Sequence, residues 1–122
     1  MNQKLITASI IVIILLVAGG IIFFKNFQGS TIQDIPSEKV AKWIGEHSVL
    51  YVQAGCIHCK EQEDLFGENV KYLTILDGIK PENRQKFIDA EIEATPTWVI
   101  NNQKYVGLKT INELKELTGY KD

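Results

Sequence analysis

The sequence predicts an α/β domain, a mixed sheet of four strands with helices on both faces, preceded by one transmembrane helix. Residues 5–24 form an uncharged run of 20 residues. The rest of the chain alternates short β-branched or aromatic stretches with helix-like ones, a pattern typical of parallel or mixed sheets. Both cysteines lie at one junction between such stretches, in Cys56-Ile57-His58-Cys59. These three observations predict the fold and point to the chemistry.

Composition excludes several classes of protein. The chain has 122 residues and a net charge of −2, with acids and bases interspersed. No basic stripe is present that would neutralise phosphates, so we expect no nucleic-acid partner. Two cysteines cannot build the multi-disulfide framework of a small secreted scaffold, so the domain must rely on a hydrophobic core. The cysteines are then available for chemistry.

Residues 5–24 are interpreted as an uncleaved membrane anchor that follows a short tail, residues 1–4. At ~1.5 Å per residue, a helix of this length spans roughly 30 Å, the thickness of a bilayer's hydrocarbon core. A cleaved signal peptide is an alternative, because Ala18 and Gly20 have the spacing of a cleavage site, but the apolar run continues to Phe24. A buried core helix is disfavoured because no polar face is present.

Orientation in the membrane is not decided by charge, because lysines lie on both sides of the run. A short tail ahead of a long apolar run usually stays in the cytoplasm. We therefore expect a single-pass protein of the cell membrane with its soluble domain outside the cytoplasm. Residues 25–36 read as a linker and residues 37–122 as the domain.

Within the domain, hydrophobic periodicity and turn residues predict helix, strand, helix, strand, helix, a hairpin of two strands and a last helix. The predicted helices cover residues 37–45, 56–66, 81–90 and 110–118, and the predicted strands cover residues 49–53, 70–76, 98–100 and 103–106. A right-handed βαβ unit places the first two strands parallel, and the two-residue turn Asn101-Asn102 makes the last two antiparallel.

The cysteine pair falls where the first strand ends and the next helix begins. Unpaired N–H groups at a helix N-terminus stabilise a thiolate, and a cysteine there, or in a Cys-x-x-Cys motif, is ionised more readily. Cys56 is therefore the predicted nucleophile. Cys59, one turn deeper, is placed to attack a mixed disulfide at Cys56 and is the predicted resolving thiol.

His58 is a candidate redox-tuning residue, because a partly charged imidazole near the sulfur favours the thiolate. Lys60 would also favour the thiolate and Glu61 would disfavour it, so the direction of their combined effect on the cysteine pair stays open. His58 as a surface residue without a role is the competing interpretation.

A metal site is the competing interpretation of the two cysteines, with His58 as a third ligand. Structural zinc needs four ligands, and beyond the motif the chain offers only His47, which is better explained at a helix C-terminus. We therefore predict no metal and no cofactor beyond the cysteine pair.

Thr95-Pro96 precedes a short apolar strand that would lie beside the first strand. Proline supplies no ladder hydrogen bond, so here it needs a local reason, such as a cis peptide or a bulge. A cis proline would leave backbone groups of Thr95 free to pair with an extended substrate near Cys56. A trans proline that starts an edge strand is the alternative.

Two stretches together resemble the thioredoxin superfamily. Residues 55–67 (GCIHCKEQEDLFG) and 94–107 (ATPTWVINNQKYVG) are similar to the thioredoxin-like domains fused to, or working with, vitamin K epoxide reductase homologues. The resemblance covers about residues 37–120 and implies a minimal, four-stranded thioredoxin-like fold. It also implies a thiol-disulfide oxidoreductase in which Cys56 attacks, Cys59 resolves and Pro96 is the neighbouring cis proline.

Two departures from thioredoxins argue against a reductase of the cytosolic thioredoxin kind. Gly55 stands where thioredoxins commonly have Trp, and Leu50 where they have a buried acid. The leading hypothesis is a membrane-anchored oxidant of protein thiols, reoxidised by a quinone-linked membrane partner of the vitamin K epoxide reductase type. The alternatives are a membrane-tethered reductant, for example in cytochrome maturation, and a metal-binding module that uses Cys56, His58 and Cys59.

Overall fold

The computed structural model describes residues 3–27 and 34–122, and within the first range it describes the side chains of Gln3 and of residues 6–19. The chain divides into two compact units, residues 1–33 and 34–122. In the predicted linker, residues 28–33 lie outside the described residues, as do residues 1 and 2 of the predicted tail.

The N-terminal unit contains one helix, α1 (Gln3–Phe27), so the helix predicted in this region is present. Among the described residues, no helix is both long and apolar enough to cross a membrane. The structure therefore gives no support to a transmembrane span at residues 5–24.

The second unit is built around a four-stranded mixed sheet, which confirms the predicted fold class. Its helices are α2 (Glu38–His47), α3 (Ile57–Asp64), α4 (Arg84–Asp89) and α5 (Ile111–Leu117), and its strands are β1 (Ser48–Val52), β2 (Ile75–Asp77), β3 (Thr97–Ile100) and β4 (Gln103–Val106). The strand order is β2-β1-β3-β4. β1 pairs with β2 in parallel and with β3 antiparallel, and β3 pairs with β4 antiparallel. The first cysteine thus follows a central strand.

Local signals explain where several elements begin and turn. Ser37 caps α2 by accepting the Val40 N–H, and Thr110 and Glu113 form a capping box at the start of α5. The hairpin turns at Asn101 and Asn102, with φ of 51° and 62°. Asparagine tolerates this left-handed region better than most residues, which is why the hairpin was predictable.

The second strand was predicted too long. Instead of a strand over residues 70–76, residues Gly67–Tyr72 form a 3₁₀ helix and β2 spans only Ile75–Asp77. Val70 and Tyr72 have β-forming side chains, but they pack against the core from the 3₁₀ helix. Packing of these partly buried side chains against the core therefore overrides β propensity in this segment. The predicted helix over residues 81–90 is likewise divided, into a 3₁₀ turn, Pro81–Asn83, and α4.

One face of the sheet carries the main core. Side chains from β1 and β3 pack there against α2, α3 and α5, and the buried set is Val40, Ala41, Ile44, Leu50, Val52, Cys59, Phe66, Trp98, Ile100 and Leu114. On the other face, Tyr51 meets Phe87 edge-on, with ring centroids 5.0 Å apart, just ahead of the end of α4. Helices therefore cover both faces, as predicted.

Gly45 allows α2 to approach the 3₁₀ helix at backbone distance. A Cβ placed on Gly45 would lie 2.0 Å from the carbonyl oxygen of Tyr72, a distance that no side chain tolerates. Thr74 closes the same contact by donating its hydroxyl to the Gly45 carbonyl at 2.9 Å. Glycine lowers helix propensity by about 1 kcal/mol relative to alanine. Close packing outweighs that cost here.

Candidate redox site

Cys56 and Cys59 are joined by a disulfide at the start of α3, with Cα atoms 5.2 Å apart. Gly55 has a φ of 85° and turns the chain after the end of β1. The Cys56 N–H stabilises this turn by donating a hydrogen bond to the Gln53 carbonyl at 3.1 Å. A left-handed φ is accessible to glycine at little cost, which accounts for this residue beside the motif. Cys56 then occupies the N-cap of α3.

The sulfur of Cys56 takes the role of a capping group. It accepts the backbone N–H of Cys59 at 3.2 Å. A negative charge on this sulfur would be stabilised by the same N–H and by the positive end of the helix dipole. The arrangement therefore favours release of Cys56 as a thiolate.

The two sulfurs differ in accessibility. Cys59 is 3% exposed and belongs to the main core, whereas Cys56 is partly exposed at the edge of that core. An incoming thiolate therefore reaches Cys56 more easily than Cys59. This geometry fits the predicted division of roles, which remains a prediction.

Thr95 and Pro96 lie beside Cys56, joined by a cis peptide bond. The Thr95 carbonyl oxygen is 3.6 Å from the Cys56 sulfur. A disulfide sulfur carries no hydrogen, so this is a packing contact in the oxidised protein, while a Cys56 thiol would have a proton to donate there. Within residues 34–122, the Thr95 N–H makes no hydrogen bond. Thr95, whose carbonyl oxygen contacts the Cys56 sulfur, thus has a backbone donor without a partner among the described residues.

His58 is mostly exposed and pairs with an acid on the next helical turn. Its Nδ1 lies 2.9 Å from Glu61 Oε2, and the two side chains are 73% and 55% exposed. Lys60 pairs in the same way with Asp64. Among the described residues, no hydrogen bond joins His58 to either sulfur. Both basic side chains, His58 and Lys60, therefore have a carboxylate nearby.

No candidate metal cluster accompanies the cysteines in the part of the chain that the structure describes; three or more His, Cys, Asp or Glu side chains do not converge there. His47 is the last residue of α2, where its ring stacks on Trp43 with centroids 3.8 Å apart. Its Nδ1 lies 2.8 Å from the Trp43 carbonyl oxygen. These contacts give His47 a local role at the helix end.

Comparison with known proteins identifies a relative among the thiol-disulfide oxidoreductases. No protein-family model matches the chain. The chain is 37% identical over 78 residues to the thiol-disulfide oxidoreductase LTO1 of Arabidopsis thaliana, a match that covers 58% of this chain. The matched segment spans only 21% of the length of that relative.

The observed α/β architecture is consistent with a thioredoxin-like fold. The mixed four-stranded sheet with helices on both faces and a Cys-x-x-Cys disulfide at the start of α3 are its decisive features. Together with the relative, they support a thiol-disulfide oxidoreductase.

Leu50, which stands where thioredoxins commonly have a buried acid, is fully buried. It pairs across the sheet with Trp98, whose indole N–H is buried without a hydrogen-bond partner among the described residues. Among the described residues, the buried polar side chains are all uncharged, namely Ser48, Gln62, Asn83, Thr97 and Thr118.

Gln62 was not predicted as a site residue. The sequence held a weak signal, because Gln62 is polar yet lies on the same helical side as Cys59 and Phe66. In the structure it is 0% exposed and binds both backbone groups of Lys109. Its partner lies 47 residues away along the chain, and this separation hides the pairing from sequence reasoning.

Proposed function

We propose that this protein is a thiol-disulfide oxidoreductase that oxidises protein thiols through its Cys56–Cys59 disulfide. The observation that carries the proposal is the asymmetry of the pair: a partly exposed sulfur at a helix N-cap bonded to a sulfur that is 3% exposed. This asymmetry favours attack at Cys56 and departure of Cys59.

The exchange proceeds in two balanced steps. A substrate thiolate attacks Cys56, the Cys56–Cys59 bond breaks, and Cys59 leaves as a thiolate. A second substrate thiolate then attacks the substrate sulfur of this mixed disulfide, and Cys56 leaves as a thiolate that the Cys59 N–H stabilises. The substrate loses two electrons and forms its disulfide, and the protein gains them. The two thiolates take up protons from solvent.

The substrate is proposed to bind as an extended segment beside Pro96. Two observations support this: the Thr95 carbonyl oxygen lies 3.6 Å from the Cys56 sulfur, and the Thr95 N–H makes no hydrogen bond among the described residues and could bind a substrate carbonyl. A backbone donor recognises any sequence, so this contact would position peptides without selecting their side chains. A protein substrate of broad sequence fits such a site.

We also propose that α1 anchors the protein in the cell membrane, with the oxidising domain outside the cytoplasm. The uncharged run over residues 5–24 supports this, as do the exposed side chains at all eight positions from Ile10 to Val17, every one of them large and apolar. A helix that packs on a soluble domain would show one polar face. A quinone-linked membrane protein of the vitamin K epoxide reductase type is the proposed oxidant that restores the disulfide.

Trapping tests the exchange mechanism. In Cys59→Ser, a mixed disulfide at Cys56 cannot be resolved, so we expect adducts with cellular proteins on non-reducing gels followed by mass spectrometry. Cys56→Ser is the matched control and should give far fewer adducts. Equal adducts from the two variants, or none from either, would reject the assigned roles. A quinone-linked membrane protein among the adducts would support the proposed partner, and its absence would argue against it.

The reduction potential of the Cys56–Cys59 pair distinguishes an oxidant of protein thiols from a reductant. Equilibration of the pair with glutathione gives its reduction potential, and a value well above that of thioredoxin, about −270 mV, is expected for an oxidant. A value near or below it would favour the reductant.

Alkaline extraction tests the anchor. The wild-type chain should remain in the membrane pellet, and the double substitution Leu15→Lys with Leu16→Lys should release it. Ile88→Lys, which changes an exposed apolar residue of the other unit, is the control and should not. Release of the wild-type chain would reject the anchor.

A further inference from the structure

Gln62 is a buried carboxamide with both of its polar groups satisfied by one distant residue. Its Nε2 donates to the Lys109 carbonyl at 2.9 Å, and its Oε1 accepts the Lys109 N–H at 2.7 Å. Burying an amide costs free energy unless its hydrogen bonds are replaced, and a half-satisfied amide retains much of that cost. The side chain is therefore bound in one orientation, which ties α3 to the segment before α5.

A second tie connects this segment to the cis proline. The N–H of Gly107, two residues before Lys109, donates to the Pro96 carbonyl at 2.8 Å. Gly107 has a φ of 91°, so the chain turns sharply between its two attachment points. The segment 107–109 is thus bound on one side to Gln62 and on the other to Pro96.

These contacts close a ring around the disulfide. From Cys59 the ring passes along α3 to Gln62, then through Lys109 and Gly107 to Pro96. It returns from Thr95 to Cys56 across the 3.6 Å contact with the sulfur. Every link apart from that contact is covalent or a hydrogen bond. The pairing of Thr97 with Tyr51 and Val106 fixes the start of β3, and the Gln62–Lys109 pair adds a second connection between α3 and the Thr95-Pro96 segment.

We propose that Gln62 is a positioning residue that holds the substrate-pairing backbone of Thr95 in register with the sulfur of Cys56. The proposal rests on the proposed function, because it concerns how a polypeptide substrate is aligned for exchange. Among the described residues, Gln62 makes no hydrogen bond to either sulfur, and it acts through the 107–109 segment and Pro96.

The proposed role of Gln62 predicts different effects on two kinds of reductant, a peptide dithiol and dithiothreitol. A peptide dithiol needs both the sulfur and the Thr95 N–H, so a shift of the 95–96 segment misaligns it. Dithiothreitol needs only access to Cys56. Loss of the Gln62 tie should slow the first reaction and leave the second nearly unchanged, whereas general destabilisation of the domain would affect both alike.

The test compares Gln62→Met with Asn83→Leu in the full-length protein. Both substitutions replace a buried carboxamide with an apolar side chain of similar size. Asn83 donates to the Asp77 carbonyl at 3.0 Å, in a segment that makes no described hydrogen bond to Thr95 or Pro96. The second-order rate constants for reduction of the disulfide by a peptide dithiol and by dithiothreitol are measured for each variant.

For Gln62→Met we expect the peptide rate constant to fall about tenfold, while the dithiothreitol rate constant stays within about twofold of wild type. Asn83→Leu should change neither by more than about twofold. Gln62→Asn keeps the carboxamide but is one methylene shorter and should give an intermediate peptide rate; it also serves as the test if Gln62→Met does not fold.

Equal losses with both reductants, no loss with either, or the same split in Asn83→Leu would overturn the proposal. The proposed function fails separately, if the wild-type disulfide is reduced by dithiothreitol but not by any peptide dithiol.

Discussion

The two faces of the sheet are built from alternate residues of the same strands, yet they differ in character. Leu50, Trp98 and Ile100 face a core that is closed by three helices and contains the second cysteine. Tyr51 and Val99 face α4 and an open cavity of about 510 Å³, which is also lined by Lys86, Asp89 and Lys104. We call the face of Leu50, Trp98 and Ile100 the closed face and the face of Tyr51 and Val99 the open face. The closed face packs against the redox pair, while the open face has charged side chains at its margin.

The largest expected effect comes from placing a charge on the closed face. Leu50→Asp buries a carboxyl group next to the unpaired Trp98 indole and should lower the free energy of unfolding by about 4 kcal/mol or more. Val99→Asp, on the neighbouring strand, places its carboxyl at the open cavity, whose lining includes both lysines and acids (Lys86, Lys104, Asp89 and Glu91), and should cost less than about 1.5 kcal/mol. Urea unfolding at pH 7 measures both. Similar losses would refute the difference between the faces.

Neighbouring residues of β3 give a milder version of this test. Ile100 is 1% exposed, and Ile100→Ala should cost about 2–4 kcal/mol through lost burial and the cavity left behind. Val99→Ala removes less buried surface and should cost about 1 kcal/mol or less. The two variants are compared by urea unfolding. A larger loss in Val99→Ala would show that the open face bears more of the stability than its exposure indicates.

Trp98 combines a large packed ring with an unsatisfied donor. Trp98→Phe loses buried surface but also removes a buried N–H that has no partner among the described residues. The two effects oppose each other, so the change in unfolding free energy should stay within about 1.5 kcal/mol, against about 3–5 kcal/mol for Trp98→Ala. A Trp98→Phe cost close to that of Trp98→Ala would mean that the N–H is bonded in solution.

The smallest expected effect concerns Tyr51 at alkaline pH. Burial, followed by the nearby Asp89 carboxylate, raises the pKa of the Tyr51 phenol above its usual value of 10.0. The unfolded chain then ionises first, so the contribution of Tyr51 to stability is complete below pH 10 and is lost as pH rises through the folded pKa. Melting temperatures between pH 9 and 11 should therefore fall more steeply for wild type than for Tyr51→Phe. Parallel curves would contradict the shift.

Local patterns were sufficient to predict much of this fold. The cysteine pair, the cap at Ser37 and the Asn101-Asn102 turn depend on residues close in sequence, and each was placed correctly. The sheet follows from the chirality of the βαβ unit and the short hairpin.

Contacts between distant segments could not be predicted in the same way. The residues before β2 look like a strand, and only the close approach of α2 explains their 3₁₀ path. The bond between Gln62 and Lys109 gives no periodic signal, because its partners lie on different elements. Leu50 showed that the buried acid was missing, but the unpaired indole beside it is visible only in three dimensions.

Gly45 has a consequence for how this domain can vary in evolution. Since the space for its Cβ is taken up by a backbone carbonyl rather than by a flexible side chain, no compensating substitution nearby can make room for alanine. A lineage that lost this glycine would have to move a whole helix and, with it, the base of β2. We therefore expect the residue to persist among descendants of this sequence even where the surrounding positions of α2 diverge.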